Sequence, residues 1–251
     1  MTMRGPSETD GVLALRVEDL TKSFGGIRAV DHLNLTLTQG ELRCLIGPNG
    51  AGKSTLFGLI SGLHRPDAGH ILFKGEDITN LQPFQRVRKG LCQKFQTTRI
   101  YRALTVAQNL LIAGGARRLS RTKSRTKNGR LSWAINTLGL DSESEVPSGE
   151  LSHSQQQWLE ICLALATEPD LLLLDEPTAG MTPEETELTA QFVINLNRQG
   201  LTVLVVEHDM AFVRYIAQRV TVLHYGRIFT EGSLDEIESN HEVRRIYLGE
   251  R

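Results

Sequence analysis

The run Gly47-Pro48-Asn49-Gly50-Ala51-Gly52-Lys53-Ser54-Thr55 follows the apolar segment Leu42–Ile46 and precedes an apolar helical stretch. Glycines at these spacings let backbone N–H groups close around a phosphate chain, and a helix opening at the end of the loop adds the positive end of its dipole. Lys53 then supplies a point charge to the phosphates, and the Ser54 hydroxyl is placed to ligate Mg²⁺. More than a hundred residues further on, the run Leu171–Leu174 ends in Asp175-Glu176. An acidic pair at the carboxyl end of a buried strand suits the same chemistry: Asp175 can hold the Mg²⁺ shell, and Glu176 can polarise an attacking water.

These groups need elements to position them. Leu33, Leu35 and Leu37 alternate with Asn34, Thr36 and Thr38, the period of a strand with one wet face, so the opening segment is predicted to be antiparallel. After Gly40 the pattern changes to short runs apolar on both faces, Leu42–Ile46, Leu171–Leu174 and Leu201–Val206, which mark buried parallel strands. A helix is predicted from Pro183 to Gln199, with Thr182 and Glu185 in capping-box spacing and Leu188, Phe192 and Leu196 on one face. Between about Lys94 and Leu151 the strand signal gives way to helical pieces, one opening at Thr105 with Gln108 three residues on and another around Leu131–Leu138. Arg117–Arg130 carries seven basic residues and no acidic or aromatic one, and reads as a solvated loop. Ser152 with Gln155 forms a second capping box, so a helix should run through Trp158, Ile161 and Leu165 until Pro169 stops it. Its N-terminus would offer N–H groups and dipole to an anion.

At 251 residues, with 40% hydrophobic content and 28 basic against 29 acidic side chains, the chain has the profile of one large globular domain, or one domain with a subdomain. A net charge of −1 argues against nucleic-acid binding through a general basic field. Cys44, Cys92 and Cys162 are odd in number and widely spaced, which disfavours a disulfide framework or zinc site and fits reduced core residues. Met1–Gly11 holds no apolar signal-peptide core and the apolar runs are too short to cross a bilayer, so a cytoplasmic chain that meets membranes only through partners is expected.

Leu151-Ser152-His153-Ser154-Gln155-Gln156-Gln157, some twenty residues before Asp175, resembles the signature motif of ATP-binding cassette (ABC) ATPases, Leu-Ser-Gly-Gly-Gln in that family. With the phosphate loop, the acidic pair, Lys94-Phe95-Gln96 and Glu207-His208-Asp209, order and spacing resemble the family from about Leu13 to the C-terminus. The resemblance implies an α/β fold: a P-loop NTPase core with an antiparallel β subdomain and a helical subdomain at about 94–165, preceded by a flexible segment 1–12. It implies ATP and Mg²⁺ as cofactors. Gly47, Pro48, Asn49, Gly50, Ala51, Gly52, Lys53, Ser54 and Thr55 would bind nucleotide, and Phe24 would stack on adenine. Glu176, His208 and Gln96 would be catalytic, with Ser54, Gln96 and Asp175 at the metal. His208 matches the switch histidine at the γ-phosphate, Gln96 the glutamine that moves with the membrane partner, and Ala179-Gly180-Met181-Thr182 the D-loop. Ser152, His153, Ser154 and Gln155 would complete the site of an opposing subunit. Implied partners are a second, non-identical ABC ATPase subunit, two transmembrane permease subunits and, indirectly, a periplasmic solute-binding protein. No nucleic acid is expected, and the location implied is the inner face of the cell membrane.

The wording around the motifs, including Glu41-Leu42-Arg43-Cys44 and Ile246-Tyr247-Leu248-Gly249-Glu250, is similar to ATPases of branched-chain amino-acid importers, closest to the urea or short-chain amide branch. An ABC exporter ATPase and a non-transport ABC ATPase are the alternatives. The latter usually carries two cassettes or a long coiled-coil insertion, and neither is present. A P-loop kinase would leave the signature and His208 unexplained. Ser154 departs from the family glycine, and two outcomes are open: the site that this signature completes still works through the Ser154 N–H, or it is weakened while a partner's signature completes a normal one. The second is favoured.

Overall fold

The computed structural model describes residues 12–94, 100–114, 125–140 and 145–248, whose strands form two sheets. β1 (Leu13–Phe24) and β2 (Ile27–Thr38) pair antiparallel through a tight turn at Gly25-Gly26. β4 (Ala68–Phe73) takes the other edge of β1 and β5 (Glu76–Asp77) closes the sheet in the order β2-β1-β4-β5. Along β2, Leu33, Leu35 and Leu37 are buried while Asn34 and Thr36 face water, as the alternation predicts.

The second sheet has the order β10-β9-β3-β8-β7-β6. Its strands are β3 (Leu42–Ile46), β6 (Leu91–Lys94), β7 (Leu171–Asp175), β8 (Thr202–Val206), β9 (Arg219–His224) and β10 (Arg227–Gly232). All pairings in it are parallel except β9 with β10. Each central strand is buried on both faces. Leu172 and Leu174 of β7, with Val203 and Val205 of β8, join one apolar cluster, to which α3 (Val106–Gly114), α5 (His153–Ala166) and α6 (Pro183–Arg198) contribute. Leu171, Leu173, Leu204 and Val206 join a second cluster with the antiparallel sheet. The continuous apolar runs are therefore explained by burial on two sides.

The helix that follows the phosphate loop, α1 (Lys53–Ser61), lies inside the second cluster through Leu56, Phe57, Leu59 and Ile60. Its C-terminal carbonyls are met by a buried side chain from α2 (Pro83–Lys89): Arg86 donates Nη1 to Leu59 O at 2.6 Å and Ile60 O at 2.7 Å, Nη2 to Thr79 O at 2.9 Å and Nε to Leu81 O at 3.0 Å. One guanidinium thus closes the end of α1 where water cannot reach.

The insert is helical as expected. Thr105 and Gln108 exchange reciprocal bonds at the start of α3, and Trp133 of α4 (Arg125–Thr137) stacks on Phe192 of α6 at 5.3 Å between ring centroids. One expectation is corrected: the basic stretch ending at Arg130 is not wholly loop, because Arg125–Arg130 begins α4. Arginine and lysine are good helix formers, and Arg130 fastens this turn by donating to Gln199 O at 2.9 Å. Residues 117–124 of that stretch, and 1–11 of the expected N-terminal segment, lie outside the described residues. The three cysteines are free and buried, as predicted.

Replacing Arg86 by Met leaves buried carbonyls at the end of α1 without donors. Chemical denaturation should show a loss of about 3 kcal/mol, and thermal unfolding a Tm lowered by roughly 10 °C.

Candidate active site

Register decides where the chemistry gathers. Val206 of β8 pairs with Leu45 of β3 on one side and Asp175 of β7 on the other, and Lys94 of β6 pairs with Leu174. The carboxyl ends of four adjacent parallel strands therefore finish level. From them leave the loops carrying Gly47–Gly52, Glu176, Glu207-His208 and the segment after Lys94, the edge at which open α/β sheets bind ligands.

The phosphate loop is held by close packing. Gly47 lies so near Leu223 O that a Cβ would come within 2.3 Å of it, and Gly52, at φ +104°, would bring a Cβ within 2.2 Å of Ala29 O. Larger residues would force the loop off β9 and β2. Lys53 is buried, donating Nζ to Gly47 O at 2.6 Å and Pro48 O at 3.1 Å. Burial pushes its ammonium below the ordinary lysine range, while Glu176 and Asp175 pull it back up. Asn49, Gly50 and Ser54 are exposed, on the side open to a ligand.

Asp175 is buried, and desolvation, reinforced by Glu176, raises its carboxyl to about 6; Lys94 and Lys53 oppose the rise. Glu176 follows at φ +44°, a left-handed backbone that a side chain other than glycine rarely adopts, with its N–H donated to Val206 O at 2.9 Å. His208 Nδ1 lies 3.4 Å from Glu176 Oε1, so the expected catalytic pair is together.

Two charged groups here were not singled out from sequence. Glu207, 1% exposed, accepts from Thr178 N at 3.2 Å and Thr178 Oγ1 at 2.6 Å through one oxygen. Through the other it accepts from His208 N at 2.9 Å and Asp209 N at 3.2 Å. Four donors satisfy it, and it staples the loop after β7 to the loop after β8. The Lys94 side chain is fully buried, its Nζ 4.0 Å from Glu160 Oε2. Burial lowers its ammonium while Glu160, Asp175, Glu207 and Glu176 support it. In sequence Glu207 directly follows the apolar run that ends at Val206, whereas Lys94 follows Gln93 and no local pattern marks it.

Other expected residues lie apart. Phe24 is half exposed at the end of β1, edge-on to His64 at 5.4 Å between centroids and beneath Lys22 Nζ at 5.5 Å, so one face of its ring carries a cation. Ser152 caps α5, accepting from Gln155 N at 3.2 Å while its own N–H donates to Gln155 Oε1 at 3.1 Å. Among the described residues, the hydrogen bonds of the Ser152–Gln155 side chains run within the cap and to Ala179 and Glu185, none to the phosphate loop of the same chain. Gln96 lies outside the described residues.

A sequence profile described as ABC transporter matches residues 30–179. The high-affinity branched-chain amino acid transport ATP-binding protein LivG of Escherichia coli (strain K12) is 34% identical over 250 residues, covering 94% of this chain and 98% of LivG. The chain belongs to the ABC transporter family. BraF of Pseudomonas aeruginosa, likewise a high-affinity branched-chain amino acid transport ATP-binding protein, is 34% identical over 249 residues, covering 94% of this chain and 98% of BraF. The ribose import ATP-binding protein RbsA 2 of Streptomyces avermitilis is 34% identical over 245 residues, 97% of this chain but 48% of RbsA 2. A nucleotide-free ATP-binding cassette of an ABC transporter superposes with TM-score 0.82 at 31% identity, covering 95% of this chain and 100% of that one. The ADP conformation of the cassette MJ1267 gives 0.81 at 32%, covering 95% and 99%. The fold is thus the ABC ATPase cassette, and membership assigns ATP binding and hydrolysis to it.

The raised carboxyl of Asp175 has a stability consequence. Its folded pKa of about 6 lies above the ordinary 3.8, so the contribution to folding is most favourable in acid and is lost as pH rises from about 4 through 6. Asp175→Asn should stabilise the nucleotide-free protein at pH 8 by about 3 kcal/mol, and by roughly half as much at pH 5, in urea unfolding.

Proposed function

We propose that this chain is the nucleotide-binding subunit that powers an ABC importer, coupling ATP hydrolysis to passage of a small solute through separate permease chains. The observation that carries this reading is the convergence of Lys53, Asp175, Glu176 and His208 at the level carboxyl ends of four parallel strands. Among the described residues no helix is long and apolar enough to cross a membrane, so the reading puts transport in partner chains and the subunit on the inner face of the membrane. The transport role of LivG and BraF supports branched-chain amino acids as the solute class; motif wording adds urea and short-chain amides as the second class to test.

In this reading Gly47–Thr55 and the start of α1 bind the ATP phosphates, and Phe24 packs on the adenine. An exposed hydroxyl and a buried carboxylate strained by desolvation are hard oxygen donors suited to Mg²⁺, so Ser54 and Asp175, with Gln96, would hold it. Mg²⁺ supplies neutralisation of charge on the β- and γ-phosphates. Glu176 accepts a proton from, and orients, the attacking water. His208, carried on the loop stapled by Glu207, holds its ring beside Glu176 and toward the γ-phosphate. Ser152–Gln155 at the start of α5 meets the phosphates bound by an opposing ATPase subunit, so hydrolysis needs the dimer; a non-identical partner and two permeases complete the assembly, with a periplasmic solute-binding protein feeding it.

Glu176→Gln keeps the shape of the side chain and removes its charge. In the complex copurified from membranes, phosphate release should fall by about 10²-fold or more, with ATP binding retained and uptake of labelled leucine lost. Hydrolysis at the wild-type rate would remove Glu176 from this role. Uptake of labelled urea or acetamide, but not leucine, by cells carrying the wild-type chain would shift the solute to the amide class.

A further inference from the structure

The signature segment holds a hydrogen-bond chain whose direction can be read from proton counting. Ser154, 4% exposed, donates its hydroxyl to Glu185 Oε1 at 2.6 Å. Glu185 is the third residue of α6, its other oxygen accepts from Thr182 N at 2.9 Å, and the bond from Ser154 is the main reason its carboxyl lies below the ordinary glutamate range. An ionised carboxylate only accepts, so the single hydroxyl proton of Ser154 is spent on Glu185. Ser152 Oγ lies 3.0 Å from Ser154 Oγ. Since Ser154 has no second proton to give, Ser152 is the donor in that contact. Ser152 Oγ also accepts from Gln155 N at 3.2 Å. Its one proton therefore points along the chain Ser152 to Ser154 to Glu185, into the same molecule.

We propose that Glu185, acting through Ser154, is a brake on the signature serine: it draws the Ser152 proton away from the phosphate of the opposing subunit. The proposal rests on the reading that Ser152 meets that phosphate, and it assigns Ser154 and Glu185 as positioning residues. With glycine or alanine at 154 the Ser152 proton has no internal acceptor and is free to turn outward. His153 Nε2, 3.1 Å from Ala179 O, ties the same segment to the D-loop, so the start of α5 and the loop before α6 are held together at two points. Engagement of a phosphate must break the bond between Ser152 and Ser154, and Ser154 is too buried for water to replace it.

The test is a double-mutant cycle on the complex copurified with the wild-type chain, comparing it with Ser152→Ala, Ser154→Ala and the double variant. Phosphate release is measured against ATP concentration and Tm is recorded for each. Ser154→Ala should raise kcat at least about threefold, and Ser152→Ala should cost at least about fivefold more in that background than in the wild type. Glu185→Gln keeps the helix cap, and its amide N–H can donate to Ser154 Oγ, which releases the Ser154 proton and, with it, that of Ser152; the same rise is expected. If Ser154→Ala lowers Tm, the Glu185→Gln pair decides by the same comparison. An equal cost of Ser152→Ala in both backgrounds, or a fall in kcat at unchanged Tm, overturns the brake while leaving the ATPase reading intact. A wild-type complex that releases no phosphate from ATP overturns both.

Discussion

A parallel sheet buried on both faces takes charge along its strands only where that charge is paired, as Arg43 of β3 is with Glu41 and Glu231, so the remaining polar chemistry is driven to the strand ends. Here the register of β3, β8, β7 and β6 makes those ends level, and every other feature of the site depends on that alignment. A slip of one residue in β7 would exchange the faces of Leu171–Leu174 and carry Asp175 into an apolar layer. The two apolar clusters that claim alternate residues of each strand are therefore what hold the carboxylates in place.

The site is a concentration of like charges kept together by specific countermeasures. Asp175, Glu176 and Glu207 sit around the buried ammoniums of Lys53 and Lys94. Glu207 is stabilised outright by four hydrogen-bond donors, two of them main-chain groups beside His208, and so serves as scaffold. Asp175 lacks that support, and its raised carboxyl marks it as the group whose electrostatics improve most when positive charge arrives. The strained backbone at Glu176 belongs to the same arrangement, because the bond from its N–H to Val206 O pins the turn that aims the side chain at His208.

The signature segment is organised differently. It is fastened to the loop before α6 through Ser154 and His153, so its position is set by α6 and the D-loop and not by the phosphate loop of its own chain. Residues that differ from the family glycines are the ones that make these ties. A side chain at 154 changes more than the space available, since it brings an oxygen that competes for the proton of its neighbour.

Much was legible in the chain itself. The glycine–lysine–serine spacing, the acidic pair after four leucines, the two capping boxes at Ser152 and Thr182, and the change from alternating to continuous apolar runs each follow from local rules that operate within a few residues, and each appears in the fold. The basic stretch reads as loop by composition yet begins α4 at Arg125, because composition separates loop from helix poorly where good helix formers carry the charge. The burial of Glu207 and Lys94 and the bond that Glu185 accepts from Ser154 were not legible, since a charged residue at a strand end or in a first helical turn is ordinarily solvated. Sequence alone determined the phosphate loop, the buried strand runs of β3, β7 and β8, the capped starts of α5 and α6, and the side chains that stand at their ends. Only the tertiary structure decided the order β10-β9-β3-β8-β7-β6, which residues lose their water, and to which acceptor the Ser152 proton is given, because those depend on neighbours far along the chain that meet only when the sheet closes.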